Sequence, residues 1–108
     1  MVGEVWSVIK LSGTIDIRSI IESFSELNRA VSAGSPIEID LTDIIDIDLS
    51  FLQLLESTRK SAAQSSLPIR LSKPAHGIIL DALNRGGFLN DPSNERAQFW
   101  LGSTEQKQ

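Results

Sequence analysis

Five consecutive residues, Ile37-Glu38-Ile39-Asp40-Leu41, alternate apolar and acidic without a break. Successive side chains on a strand project to opposite faces, so this segment is a strand with one buried and one wet face. The residues before it follow a different period. Ile17, Ile20, Ile21, Phe24, Leu27 and Val31 recur at helical spacing, with Arg18, Ser23, Glu26 and Arg29 on other faces. Asp16 or Ser19 can cap that helix, and Gly34-Ser35-Pro36 stops it. A strand fed by a helix needs a second layer to bury its apolar face, which places the chain among the α/β folds.

The same reading extends in both directions. Glu4 to Leu11 is rich in β-branched and aromatic residues and predicts a strand closing in a tight turn at Ser12-Gly13. Thr14-Ile15-Asp16 predicts a short second strand. Thr42 and Asp43 predict a turn, after which alternation resumes through Ile45-Asp46-Ile47-Asp48-Leu49. From Ser50 the spacing is helical to about Ser65-Ser66, and Ser50 with Gln53 has the capping-box form. Pro68 to Leu71 predicts a strand, Pro74 to Arg85 a helix ending at Gly86-Gly87, and Ala97 to Leu101 a last strand. Residues 103–108 are expected to form a disordered polar tail. The expected architecture is a small mixed sheet of four to five strands with three to four helices. Its core is expected to hold Val8, Ile15, Ile20, Phe24, Leu27, Ile37, Ile39, Leu41, Ile47, Leu52, Leu55, Ile69, Leu71, Ile79 and Leu83.

Composition narrows the function. The chain has 108 residues, 41% hydrophobic and 22% charged, the size and balance of one globular domain. No cysteine is present, which removes disulfides, thiolate zinc sites and a cysteine nucleophile. No apolar run exceeds three residues, so neither a membrane span nor a signal-peptide core is expected, and the cytoplasm is the expected compartment. The net charge of −4 argues against nucleic acid as partner. Between Arg29 and Arg59 there is no Lys or Arg, yet Glu38, Asp40, Asp43, Asp46, Asp48 and Glu56 fall there. A partner touching that stretch should be basic.

Chemistry is scarce. The only glycine pair, Gly86-Gly87, follows a helix instead of preceding one, so no phosphate-binding loop is expected. His76 is the single imidazole and reads as a surface or capping residue. Asp43, Asp46 and Asp48 could hold a hard cation through oxygen ligands, but alternation turns them to solvent, and no metal or cofactor is expected. Trp6 and Trp100 read as core edges. These residues point to a non-enzyme.

The segment Asp40-Leu-Thr-Asp-Ile-Ile-Asp-Ile-Asp-Leu-Ser-Phe-Leu-Gln-Leu-Leu55 resembles the signature of STAS domains. Their pattern is a strand ending Asp-Leu-Ser/Thr, then apolar-Asp-Ser-Ser-Gly-Leu opening a helix. Leu11-Ser12-Gly13-Thr14-Ile15-Asp16 is similar to the family's opening motif, with Gly13 and Asp16 at its fixed positions. Pro68 to Ser72, the helix after Pro74 and Gly86-Gly87-Phe88-Leu89 match its second half, so residues 1–102 are expected to be one STAS domain. The resemblance implies protein–protein regulation, with an anti-sigma factor or a chemotaxis-type, histidine-kinase-like ATPase as partner. A cytoplasmic STAS subunit of a lipid or anion transporter is the other implied role. In the family's anti-sigma antagonists the residue after the signature Asp is the phosphoacceptor. Here the Asp is Asp48 and that residue is Leu49, which has no hydroxyl. Ser50 is then the candidate phosphoacceptor or helix N-cap, Phe51 replaces the usual Gly as an exposed apolar anchor, and Asp46, Asp48, Leu49, Ser50 and Phe51 form the expected partner-binding loop.

Overall fold

The computed structural model describes residues 5–102, and the expected polar tail at 103–108 lies outside the described residues. The chain runs β1 (Ser7–Thr14), α1 (Ile17–Ala33), β2 (Ile37–Asp46), α2 (Leu49–Gln64), β3 (Ile69–Leu71), α3 (Gly77–Arg85) and α4 (Asn94–Leu101). The sheet order is β1-β2-β3 and both pairings are parallel. Among the described residues there are therefore three strands, all parallel, where a mixed sheet of four to five was expected. Each parallel neighbour is reached through a helix, as a parallel connection requires.

Three segments differ from the sequence reading, each for a local reason. Thr14 belongs to β1 and no second strand follows, because Gly13 absorbs the irregularity in place. Its φ of 75° is open to glycine, and it lies between register shifts in the β1–β2 ladder. Thr42 and Asp43 do not turn. Lys10 faces Asp40 while Ser12 faces Asp43, so β2 carries one extra residue there and a second between Ile44 and Asp46. The Asp40 carboxylate accepts the Thr42 N–H at 2.9 Å, satisfying a donor at the first bulge. Ala97 to Leu101 is helix α4, not a strand. The Ser93 hydroxyl accepts the Arg96 N–H at 3.1 Å, and Glu95 lies in the first turn, where a helix favours negative charge.

Among the described residues, one face of the sheet is covered and the other is not. Ile9, Leu11, Ile37, Ile39 and Leu71 are buried, and with Leu27, Phe51, Leu52, Leu55, Ile79, Leu83, Phe99 and Trp100 they make the core. The opposite face carries Val8, Lys10 and Arg70 in the open, with Glu38 half-buried. There the Arg70 guanidinium lies 3.8 Å from the Trp6 ring centre and donates to Glu38 at 2.8 Å. Two expected core residues are corrected. Val8 is 60% exposed because Ile9 and Leu11 take the inward positions of β1, and Phe24 is 53% exposed beside the seam between α1 and α2. Ile20, Leu41, Ile47 and Ile69 are half-buried at the core's margin. Trp100 is fully buried, not an edge residue.

Candidate functional site

The joins from β1 to α1 and from β2 to α2 lie side by side, since the Ile15 N–H donates to the Asp46 carbonyl at 2.9 Å. Each join ends in an aspartate that caps the next helix. Asp16 accepts from the Arg18 and Ser19 N–H groups, both at 3.0 Å, and these bonds hold its carboxyl below the ordinary range. Asp48 accepts from the Phe51 N–H at 3.3 Å. Both caps leave the aspartates fixed and at the same end of the sheet, where Gly13 and Asp46 also lie. The two halves of the recognised pattern, Gly13 with Asp16 and Asp46 with Asp48, are thus brought together.

The loop differs from expectation in two of its members. Ser50 is not the N-cap: Asp48 holds that position, and Ser50 stands exposed in the first turn of α2. Phe51 is not an exposed anchor. It is completely buried, because the α2 face that carries Phe51 and Leu55 turns down onto the sheet. The exposed apolar groups are instead Leu49, 51% exposed at the first position of α2, and Ile45, 71% exposed. Ile45 faces out because the first bulge shifts β2 by one residue, which moves its side chains to the opposite face. The inward position passes to Ile44.

Leu49 stands at one wall of a groove of about 260 Å³ whose sides are Ile47, Asp48 and Leu52 against Ala82, Arg85 and Gly86. A Cβ on Gly86 would sit 3.1 Å from Leu49 Cδ1 and 2.9 Å from the Phe88 ring, so the absence of a side chain there is what lets Leu49 lie against α3. Sequence reasoning did not place Ile45, Arg85 or Gly86 at this loop, since bulges and contacts across the chain put them there.

The acidic stretch is less bare than its sequence. Lys10 pairs with Asp43 at 2.8 Å, Arg70 with Glu38 at 2.8 Å, and Arg59 and Arg96 with Glu56 at 2.6 and 3.2 Å. The Asp43 contact raises the Lys10 ammonium above its usual value. What remains at the loop is Asp46, whose carboxylate accepts the Ile47 N–H at 3.0 Å, and Asp48. Asp43, Asp46 and Asp48 are held apart in these roles, and among the described residues no three carboxylates or imidazoles gather into a metal-binding group. His76 is exposed with Nδ1 3.0 Å from the Pro74 carbonyl. The loop offers an exposed apolar side chain, two oriented carboxylates and a hydroxyl, the means for directional contact with another molecule.

Removing the Asp48 cap should cost about 0.5–2 kcal/mol, while Asp48→Asn, which can still accept the Phe51 N–H, should cost only a few tenths. Urea denaturation of Asp48→Ala and Asp48→Asn checks this. Equal losses in both would mean that charge, not the hydrogen bond, holds the helix start.

A parallel sheet with one helical layer, and a capped, partly apolar loop at its carboxyl end, define a small α/β domain. The family model described as Mlab, STAS domain matches residues 4–88, and the chain belongs to the STAS domain family. The match spans β1 to α3, and α4 lies beyond it. No curated protein matches the chain. Among the described residues no helix is long and apolar enough to cross a membrane.

Proposed function

We propose that this chain is a non-enzymatic regulatory module that binds a protein partner through the loop from Ile45 to Ser50, with Leu49 as its apolar anchor. The observation that carries the reading is the exposure of Leu49 and Ile45 beside Asp46 and Asp48 at a capped helix start. Apolar anchors ringed by polar groups are what interface hot spots use. In the family pattern Leu49 stands where a phosphoacceptor hydroxyl would stand, so contact at this position is not switched by phosphate. Ser50, one residue on, is the remaining hydroxyl for a kinase to use. The partner we favour is an anti-sigma factor or a histidine-kinase-like ATPase, with binding in the cytoplasm.

One observation favours the second role, a STAS subunit of a membrane transporter. A permanent apolar side chain in place of a switchable hydroxyl suits a lasting interface, since obligate interfaces are the more hydrophobic ones. The dissociation rate separates the two.

Affinity purification with wild type and Leu49→Glu, followed by mass spectrometry, tests the reading. A protein recovered with wild type and reduced at least about thirtyfold with Leu49→Glu is expected, the size of a hot-spot loss. Undiminished recovery with Leu49→Glu would move the docking surface elsewhere. In kinetics with the purified partner, Asp46→Lys with Asp48→Asn should slow association at low salt.

A further inference from the structure

The strand ladder stops well before β2 does. Pairing between β2 and β3 ends at Ile39 opposite Leu71, and its last bond runs from the Ser72 N–H to the Ile39 carbonyl at 2.9 Å. β2 itself continues to Asp46. Ile37 and Ile39 point their backbone polar groups at β3, and by alternation so does Leu41. The next donor due on the β3 side would come from Pro74, which has no N–H. The chain departs there toward α3, and a crevice of about 220 Å³ opens beside this edge, which is unpaired among the described residues.

Its walls are Leu41 and Ile44 of β2 on one side and Ile78 and Ile79 of α3 on the other, with Lys73 and His76 on the connection between them. Small-molecule sites usually run from about 300 Å³ upward, so this crevice suits one or two side chains more than a cofactor. An open strand edge needs backbone donors and acceptors, which an extended peptide supplies and a small ligand does not. Charge adds a further condition. Asp40 is engaged by Thr42 and Asp43 by Lys10, whereas Lys73 forms no ion pair among the described residues. The crevice therefore favours a carboxylate on its occupant.

We infer that the edge of β2 beyond Ile39 receives an extended segment of a partner protein as an added strand, with an apolar side chain seated between Ile44 and Ile78 and an acidic residue at Lys73. The inference rests on the reading of the chain as a protein-binding module and adds the form that part of the partner takes. Backbone pairing provides affinity in this mode, and the crevice and Lys73 provide specificity.

The probe is a displayed library of random seven-residue peptides selected against the full chain, with the enriched peptides titrated into isotope-labelled protein and followed by NMR. Enriched peptides should combine an acidic residue with apolar ones, shift the amide signals of residues 41–45, and slow hydrogen exchange at Leu41. Ile78→Asp should weaken them at least about thirtyfold, and Lys73→Glu about fivefold. Lys73 is exposed, so the second variant retains the fold if the first does not. Leu49→Glu should leave the peptides bound. No enrichment, or peptides that shift Leu49 and Ser50 but not residues 41–45, would overturn the added strand. That outcome would leave the Leu49 anchor to be judged by its own purification experiment, where loss of the partner in Leu49→Glu would still hold.

Discussion

Glu56→Ala should destabilise the domain by about 3–5 kcal/mol, because it strands buried positive charge. Glu56 is 6% exposed and ties three groups to one carboxylate. Its Oε1 accepts from Arg59 Nη2 at 2.6 Å, its Oε2 accepts from the Trp100 indole N–H at 2.6 Å, and Arg96 Nε lies 3.2 Å away. Arg59 is itself buried, with its Nε enclosed and without a hydrogen-bond partner, so without Glu56 its guanidinium loses its one ion-pair partner among the described residues. The same carboxylate fastens α4 to α2, which makes it the hinge pin of the segment beyond the family match. A urea midpoint shift worth less than about 1 kcal/mol would mean that the network contributes little beyond its desolvation cost.

The pH dependence has a definite sign. Burial pushes the Glu56 carboxyl up, but hydrogen bonds from Arg59 and Trp100 and the charges of Arg59 and Arg96 outweigh it, so it lies below its ordinary 4.5. A carboxyl that is depressed in the folded state contributes stability fully above its unfolded value and loses it as pH falls through the folded value. Wild type should therefore lose stability more steeply than Glu56→Gln as pH drops below about 4.5. Parallel pH profiles for the two proteins would contradict the assignment.

The second large effect separates two phenylalanines. Phe51→Ala should cost about 3–5 kcal/mol, since the side chain is completely enclosed and leaves a cavity. Phe24→Ala should cost no more than about 1 kcal/mol, because over half of that residue already meets solvent. Chemical denaturation of both variants checks the pair. Similar midpoints would mean that the phase of α1 or of α2 is wrong.

These two residues also show where sequence reasoning stops. Ile37 to Leu41 announces its buried face because acids occupy every alternate place, and Ile37 and Ile39 are indeed inside. The first strand gives no such contrast. Trp6 and Val8 on one face and Ile9 and Leu11 on the other are all apolar, so periodicity cannot choose between them. Phe51 is adjacent to Leu52, and both are buried because α2 packs against the sheet on one side and neighbouring segments on the other. Phe99-Trp100-Leu101 is too short an apolar run to separate helix from strand. The capping aspartate of α1 was within reach as one of two choices, whereas at α2 Ser50 satisfied the same capping rule two residues after the true cap, Asp48. The ion pairs were out of reach, since Lys10, Arg70 and Arg96 come from distant parts of the chain to acids that look unaccompanied in sequence.

If a protein partner docks on the loop at the start of α2, as proposed, position 49 touches it directly. A photo-crosslinking side chain placed at Leu49, with the same group at exposed Gln64 at the far end of that helix as control, tests it inside the cell. One discrete protein adduct is expected from position 49 and none from position 64. Adducts from position 64 with none from position 49 would contradict it.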